Sequence, residues 1–175
     1  DQMRFLIFFL FLSPLFSEQN KLAPLKEIEP IKEGELEASI KRGVDYLIGK
    51  QNKDGSWGGP TRTKGLNIYA PVPEAHLAFR SGASALALAG LLDSKDQRPK
   101  TKAAIAKGEQ WFFEKLPKLR HVDPTTTYNV WGHAYGLRAI SALYNYREND
   151  EAKRSRLKQL AELQFQMLNK TEDVR

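Results

Sequence analysis

With 175 residues and an ordinary apolar share of 41%, the chain has room for one globular domain. The absence of cysteine excludes disulfides, a lipoprotein anchor and a zinc–thiolate site. A net charge of +6 favours mild attraction to anionic surfaces, a membrane surface among them. Basic residues are not interleaved with aromatics in a strand pattern, so nucleic acid is not an expected partner.

The first segment, residues 1–17, is expected to be a secretory signal. Arg4 is followed by about a dozen mostly apolar residues up to Phe16, too few for a membrane span of about 20 residues. The alternative is an uncleaved anchor over residues 5–16, or a buried helix. Export to the periplasm or the outside is the expectation. Residues 18–35, with two prolines and many charges, read as a linker to the folded part.

Helical spacing places Leu36, Ile40, Val44, Leu47 and Ile48 on one face, a stripe expected to be buried. Asn52-Lys53-Asp54-Gly55 stops that helix, because Asn and Asp bond their own backbone and Gly accepts positive φ. Trp57 follows, and so large a ring is expected to fold back onto the protein. A partial copy comes later: aligning Ile40 with Ile105 puts Gly43 on Gly108, Tyr46 on Trp111 and Leu47 on Phe112. Leu116-Pro117 there replaces the Gln turn. A third copy begins near Leu157, with Leu160, Ala161, Leu163, Met167 and Leu168 apolar before Asn169.

Between these amphipathic helices lie two of another kind, Ser81–Leu92 and Gly132–Leu143. Both are rich in small apolar residues on every side, as helices packed all round are. The order is outer, inner, outer, inner, outer, which two layers of helices satisfy. Outer-to-inner links, 51–75 and 117–128, are long; inner-to-outer links are short. Antiparallel succession then gathers both long loops at one end, where a site is expected.

Arg42, Gly43, Tyr46, Leu47, Gln51, Gly55 and Trp57 resemble the QW motif of squalene–hopene cyclases and related triterpene cyclases. The resemblance extends from about Leu36 to the end and implies part of an α/α toroid, 36–175, built from prenyltransferase and squalene-oxidase repeats. In that family the Gln and Trp brace neighbouring helices, so the motif implies architecture rather than chemistry. A closed toroid needs about twice the five helices seen here, and the chain is expected to be the N-terminal part of a longer protein.

The resembling cyclases protonate an alkene from an Asp-x-Asp-Asp motif, and the resembling transferases hold zinc through Asp, Cys and His; neither set occurs here. Catalytic residues are therefore unassigned, and no cofactor is expected. Tyr128, Trp131 and Tyr135 share one helix face, either as core packing or as an aromatic wall at a cavity mouth. With Arg80 and His133 they are the candidate contacts for a hydrophobic, isoprenoid-like ligand. His76, His121 and Asp123, joined by His133, would suit zinc or iron if they converged. The competing readings are Asp123 opening a turn before Pro124, Thr125–Thr127 capping the next helix, and His133 as a hydrogen-bonded core histidine.

Three functions remain open from these residues. The first is a cyclase-like exported repeat protein with a hydrophobic cavity. The second is a non-catalytic exported binding module, and the third an α/α-barrel polysaccharide lyase or hydrolase. Fold alone does not choose among them.

Overall fold

The computed structural model describes residues 30–58, 73–124 and 126–170. Every regular element among them is a helix: α1 (Glu35–Gly49), α2 (Pro73–Asp93), α3 (Pro99–Lys115), a short 3-10 turn (Leu116–Lys118), α4 (Asn129–Tyr146) and α5 (Glu151–Asn169). All belong to one compact unit, Glu33–Arg175; of the other, Asp1–Lys32, only 30–32 are described, without regular structure. The expected signal segment, most of the linker and residues 59–72 of the first long loop lie outside the described residues. Among the described residues no helix is long and apolar enough to cross a membrane.

The helix starts follow local chemistry. α2 and α3 begin at Pro73 and Pro99, where a missing N–H costs nothing and φ is already helical. Asp150 caps α5 by accepting from the Lys153 amide at 3.0 Å. α4 has no side-chain cap: Thr126 instead closes the preceding turn with Asp123, its amide donating to Asp123 Oδ1 at 3.0 Å. Asp123 therefore opens a turn, as one sequence reading had it, while the expected threonine cap on α4 is not formed.

α2 and α4 share the largest helix–helix interface. Glycine makes it possible: a Cβ on Gly132 would sit 3.2 Å from the Ala78 carbonyl oxygen and 2.6 Å from a Leu119 methyl. Behind this pair lies the second layer. α1 and α3 pack on α2, and α5 packs on α4. Leu88, Leu91, Ile105, Phe112, Leu116, Leu143 and Leu157 fill the space between. The outer helices are tied to each other by Glu109 of α3. Buried, it accepts from Arg147 at 2.9 and 2.6 Å and from Lys153 at 3.1 Å.

The arrangement repeats. The first residues of α3 and α5, Pro99 and Glu151, lie 52 positions apart, and the same shift carries α2 onto α4. It superposes buried Ile105 on buried Leu157 and exposed Phe79 on exposed Trp131.

Two packing expectations need correction. Of the stripe on α1 only Val44 is buried; Leu47 and Ile48 are partly covered, and Leu36 and Ile40 are exposed. α1 is held through its C-terminal half, by the Leu47 contact to Gly90 and by Asp45 paired with Arg98 and Lys100, so its first turns project past the bundle. Nor are α2 and α4 packed on every side. Phe79, Ala83, Leu86 and Gly90 on α2, with Trp131, Ala134, Tyr135 and Arg138 on α4, form a continuous exposed face.

Candidate functional site

The turn after α1 joins α1 to α2 and α3. Trp57 is only 4% exposed; its Nε1 donates to the Leu47 carbonyl at 2.7 Å and its amide to Ser84 Oγ at 2.8 Å. Gln51 Nε2 donates to the carbonyls of Gly55 and Ala104, at 3.0 and 2.9 Å, so it spans from α1 to α3. Gly55 has φ 92°, and a Cβ there would lie 2.4 Å from the Lys107 carbonyl oxygen; only glycine fits. The Trp57 ring lies against Gly108, 3.0 Å from where a Cβ would stand. Gly108, the small residue of the second copy, thus makes room for the ring of the first. This also explains the other half of the motif. Arg42 and Gly43 are exposed, Tyr46 is 64% exposed, and nothing lies within 4 Å of a Cβ on Gly43. The α3 counterparts of Gly43 and Tyr46, Gly108 and Trp111, are buried because α3 has a preceding helix and α1 has none among the described residues.

The described parts of the two long loops lie at one end of the bundle. Asp54 and Ser56 of the first meet Arg80 near the start of α2. Tyr128, closing the second, stacks on neighbouring Phe79 at 5.1 Å. Phe79, Tyr128 and Trp131 form one aromatic cluster, with centroids 5.1–6.1 Å apart, and Tyr135 follows one turn on, packed over Gly82. The aromatic-wall reading therefore describes this face better than core packing does, since Phe79, Trp131 and Tyr135 are exposed. The sequence reading missed Phe79. Its signal was spacing: residues 79, 83, 86 and 90 recur at helical intervals on the side that lacks large polar groups.

No family model, curated protein or solved structure matches this chain.

Two ligand candidates prove to be scaffold. Arg80 Nη2 donates to Asp54 Oδ2 at 2.8 Å and to Ser56 Oγ, and its guanidinium lies over the Trp111 ring. Burial acts to raise the Asp54 pKa, but hydrogen bonds from Ser56 and the charge of Arg80 outweigh it and leave the carboxyl below its ordinary value. His133 is fully buried. Its Nε2 lies 2.8 Å from the Arg120 carbonyl oxygen and its Nδ1 2.7 Å from the Gln164 side-chain amide. The Gln164 atom facing Nδ1 is its side-chain oxygen Oε1. His133 is a core histidine joining α4 to α5.

The metal set does not assemble. Among the described residues no group of three His, Asp or Glu side chains is placed to hold an ion. His133 is enclosed, and Asp123 accepts from Arg120 and from the Thr126 amide. What remains accessible is Tyr128, Trp131 and Tyr135 with Phe79, continued by Ala83, Leu86 and Ala134. Charge enters this face at its far end, where Arg138 is paired with Asp93 at 2.6 Å.

Proposed function

We propose that the chain is an exported repeat module of the α/α-toroid kind found in terpenoid cyclases and protein prenyltransferases, and that the α2–α4 face binds a hydrophobic, isoprenoid-like molecule. The observation that carries this reading is the aromatic cluster, opening onto small and aliphatic side chains of two tightly paired helices. A long apolar chain would lie there against the exposed Ala83, Leu86 and Ala134 and beside the ring faces. The QW-type turn bridging α1 and α3 supports the toroid assignment. Binding without catalysis is favoured by the state of the carboxylates. Glu109, buried, already accepts three N–H donors, and Asp93 is committed to Arg138.

The protein carries its own reporter. Of its three tryptophans, Trp57 and Trp111 are buried, whereas Trp131 is 50% exposed. Titration with farnesol should shift emission to the blue and protect the accessible fraction from acrylamide, and Trp131→Phe should abolish both effects. Emission unchanged by farnesol and by a saturated alcohol of equal length would sink the proposal. A response to an oligosaccharide alone would favour the polysaccharide-enzyme alternative. Export has its own test: the mature N-terminus, by mass, is expected at or near Glu18, and a chain retaining Met3 in the membrane fraction would mean an anchor.

A further inference from the structure

The exposed side of α2 is repeated on α4 in shape but not in charge. Under the 52-residue shift Phe79, Ala83, Leu86, Gly90 and Asp93 correspond to Trp131, Tyr135, Arg138, Ala142 and Asn145, successive turns of one helix side. Rings stand at the first position of both copies and small residues at the fourth. At the third position an aliphatic side chain gives way to Arg138, and at the fifth a carboxylate gives way to Asn145. Both changes make α4 the more positive helix, and both fall in one place. There an open cavity of about 290 Å³ is lined by Asp93, Lys95, Arg138, Ser141, Asn145 and Tyr146, with Leu92 and Ala142.

Lys95 points the same way. Among the described residues it is the only non-glycine with positive φ, 54°, at a helix end that glycine ordinarily closes. The end of α2 does not need its charge. The carbonyls of Gly90, Leu91 and Leu92 already accept from the Ser94 amide at 3.1 Å, the Ser94 hydroxyl at 2.7 Å and the Lys95 amide at 3.1 Å. The Lys95 ammonium has no ion-pair partner among the described residues, and the Ser141 and Asn145 side chains have no hydrogen-bond partner there. Arg138 spends Nη2 on Asp93. Two cations against one carboxylate leave the cavity one positive charge in excess.

We propose that the ligand of the α2–α4 face is a carboxylated amphiphile. Its apolar chain lies towards the aromatic cluster, and its carboxylate sits in this cavity between Lys95 and the remaining N–H groups of Arg138, with Ser141 and Asn145 as further donors. From Phe79 to Gly90 the face runs about 16 Å at the helical rise of 1.5 Å per residue, room for an extended farnesyl chain. A single negative charge neutralises the excess, whereas a diphosphate would bring several beside Asp93. The inference rests on the proposed use of this face and adds the head group.

The test titrates the full chain at low salt and neutral pH with farnesoic acid, farnesol and farnesyl diphosphate, reading Trp131 emission. Acid and alcohol differ only at the head. Wild type should bind the acid about tenfold more tightly than the alcohol, the worth of a charge-assisted hydrogen bond, and more tightly than the diphosphate. Added salt should shrink the preference. Arg138→Leu, which installs the residue of the first copy, and Lys95→Gln should each bring acid and alcohol within about threefold of each other. Circular dichroism checks that both variants stay helical, and Lys95→Gln decides alone if Arg138→Leu does not. Equal affinity for acid and alcohol in wild type would overturn the head-group site and leave the face reading standing. A preference that survives both substitutions, or a diphosphate bound more tightly than the acid, would also overturn it. Silence towards all three ligands would overturn the face reading and this inference together.

Discussion

Trp57 and Gly55 are the residues on which the joint between α1 and α3 depends. Trp57→Ala removes a buried ring and its hydrogen bond to Leu47, and should destabilise the protein by about 3–5 kcal/mol in a denaturant titration. Gly55→Ala forces an L-residue into positive φ against the Lys107 carbonyl. Backbone strain alone is worth about 1–3 kcal/mol, and the clash adds to it. Tyr46→Ala, by contrast, should change stability by less than about 0.5 kcal/mol, since the ring lies on the surface. A large loss there, equal to that at Trp57, would show that the exposed half of the motif is engaged. The turn of Gln51, Gly55 and Trp57 was legible in the sequence, but this division was not. Burial of a motif position depends on the neighbouring copy, and a pattern within one segment carries no information about whether a neighbour is present.

Between elements, ion pairs fix what packing leaves adjustable. Asp45 on α1 receives Lys100 and Arg98 from the start of α3, with Lys41 beside it. The hydrogen bond from Lys100, then those from Lys41 and Arg98, hold its carboxyl well below the usual range despite partial desolvation. Asp96, bonded by the Arg98 side chain and amide, falls to about 2 from an ordinary 3.8. Both carboxyls titrate lower when folded than when unfolded. Their stabilisation is therefore complete above the ordinary value and is lost as pH falls through the folded one, from about 4 down to about 2. Melting temperature should be level from pH 7 to about 5 and then fall, and Asp45→Asn with Asp96→Asn should flatten that acid limb. Between α3 and the α4–α5 link, Glu109→Ala leaves Arg147 and Lys153 facing each other without their anion. The expected cost is about 3 kcal/mol, at the low end for breaking a buried pair because Lys153 keeps water. Helix order, the long and short links and the inner pair were all legible from spacing and small residues. Glu109, Gln164 and the Asp45 cluster were not, because their partners lie 31 to 55 residues away and each reads locally as an ordinary polar position on an amphipathic helix.

At the scale of the whole molecule, a repeat array is stabilised by what each unit buries against the next, so stability should follow the interfaces and not the lengths of the helices. α2 and α4 hold the largest interface and receive neighbours from behind, with Gly132 bringing the two backbones close. α1 is longer than three turns, yet it is fastened only near its end, and its Leu36 and Ile40 contribute little burial. Amide exchange at neutral pH should therefore grade across the array. The slowest amides are expected in 82–92 and 133–143, opening only with global unfolding; those of α3 and α5 should be intermediate. Residues 38–41 of α1, although helical and hydrogen-bonded, should exchange within the fast class, and Trp57→Ala should extend that fast class through Ile48 without altering α4. Uniform protection across all five helices would mean that the unit unfolds as one block. Slow exchange confined to α1 and α3 would place the stabilising centre in the outer layer instead of the α2–α4 pair.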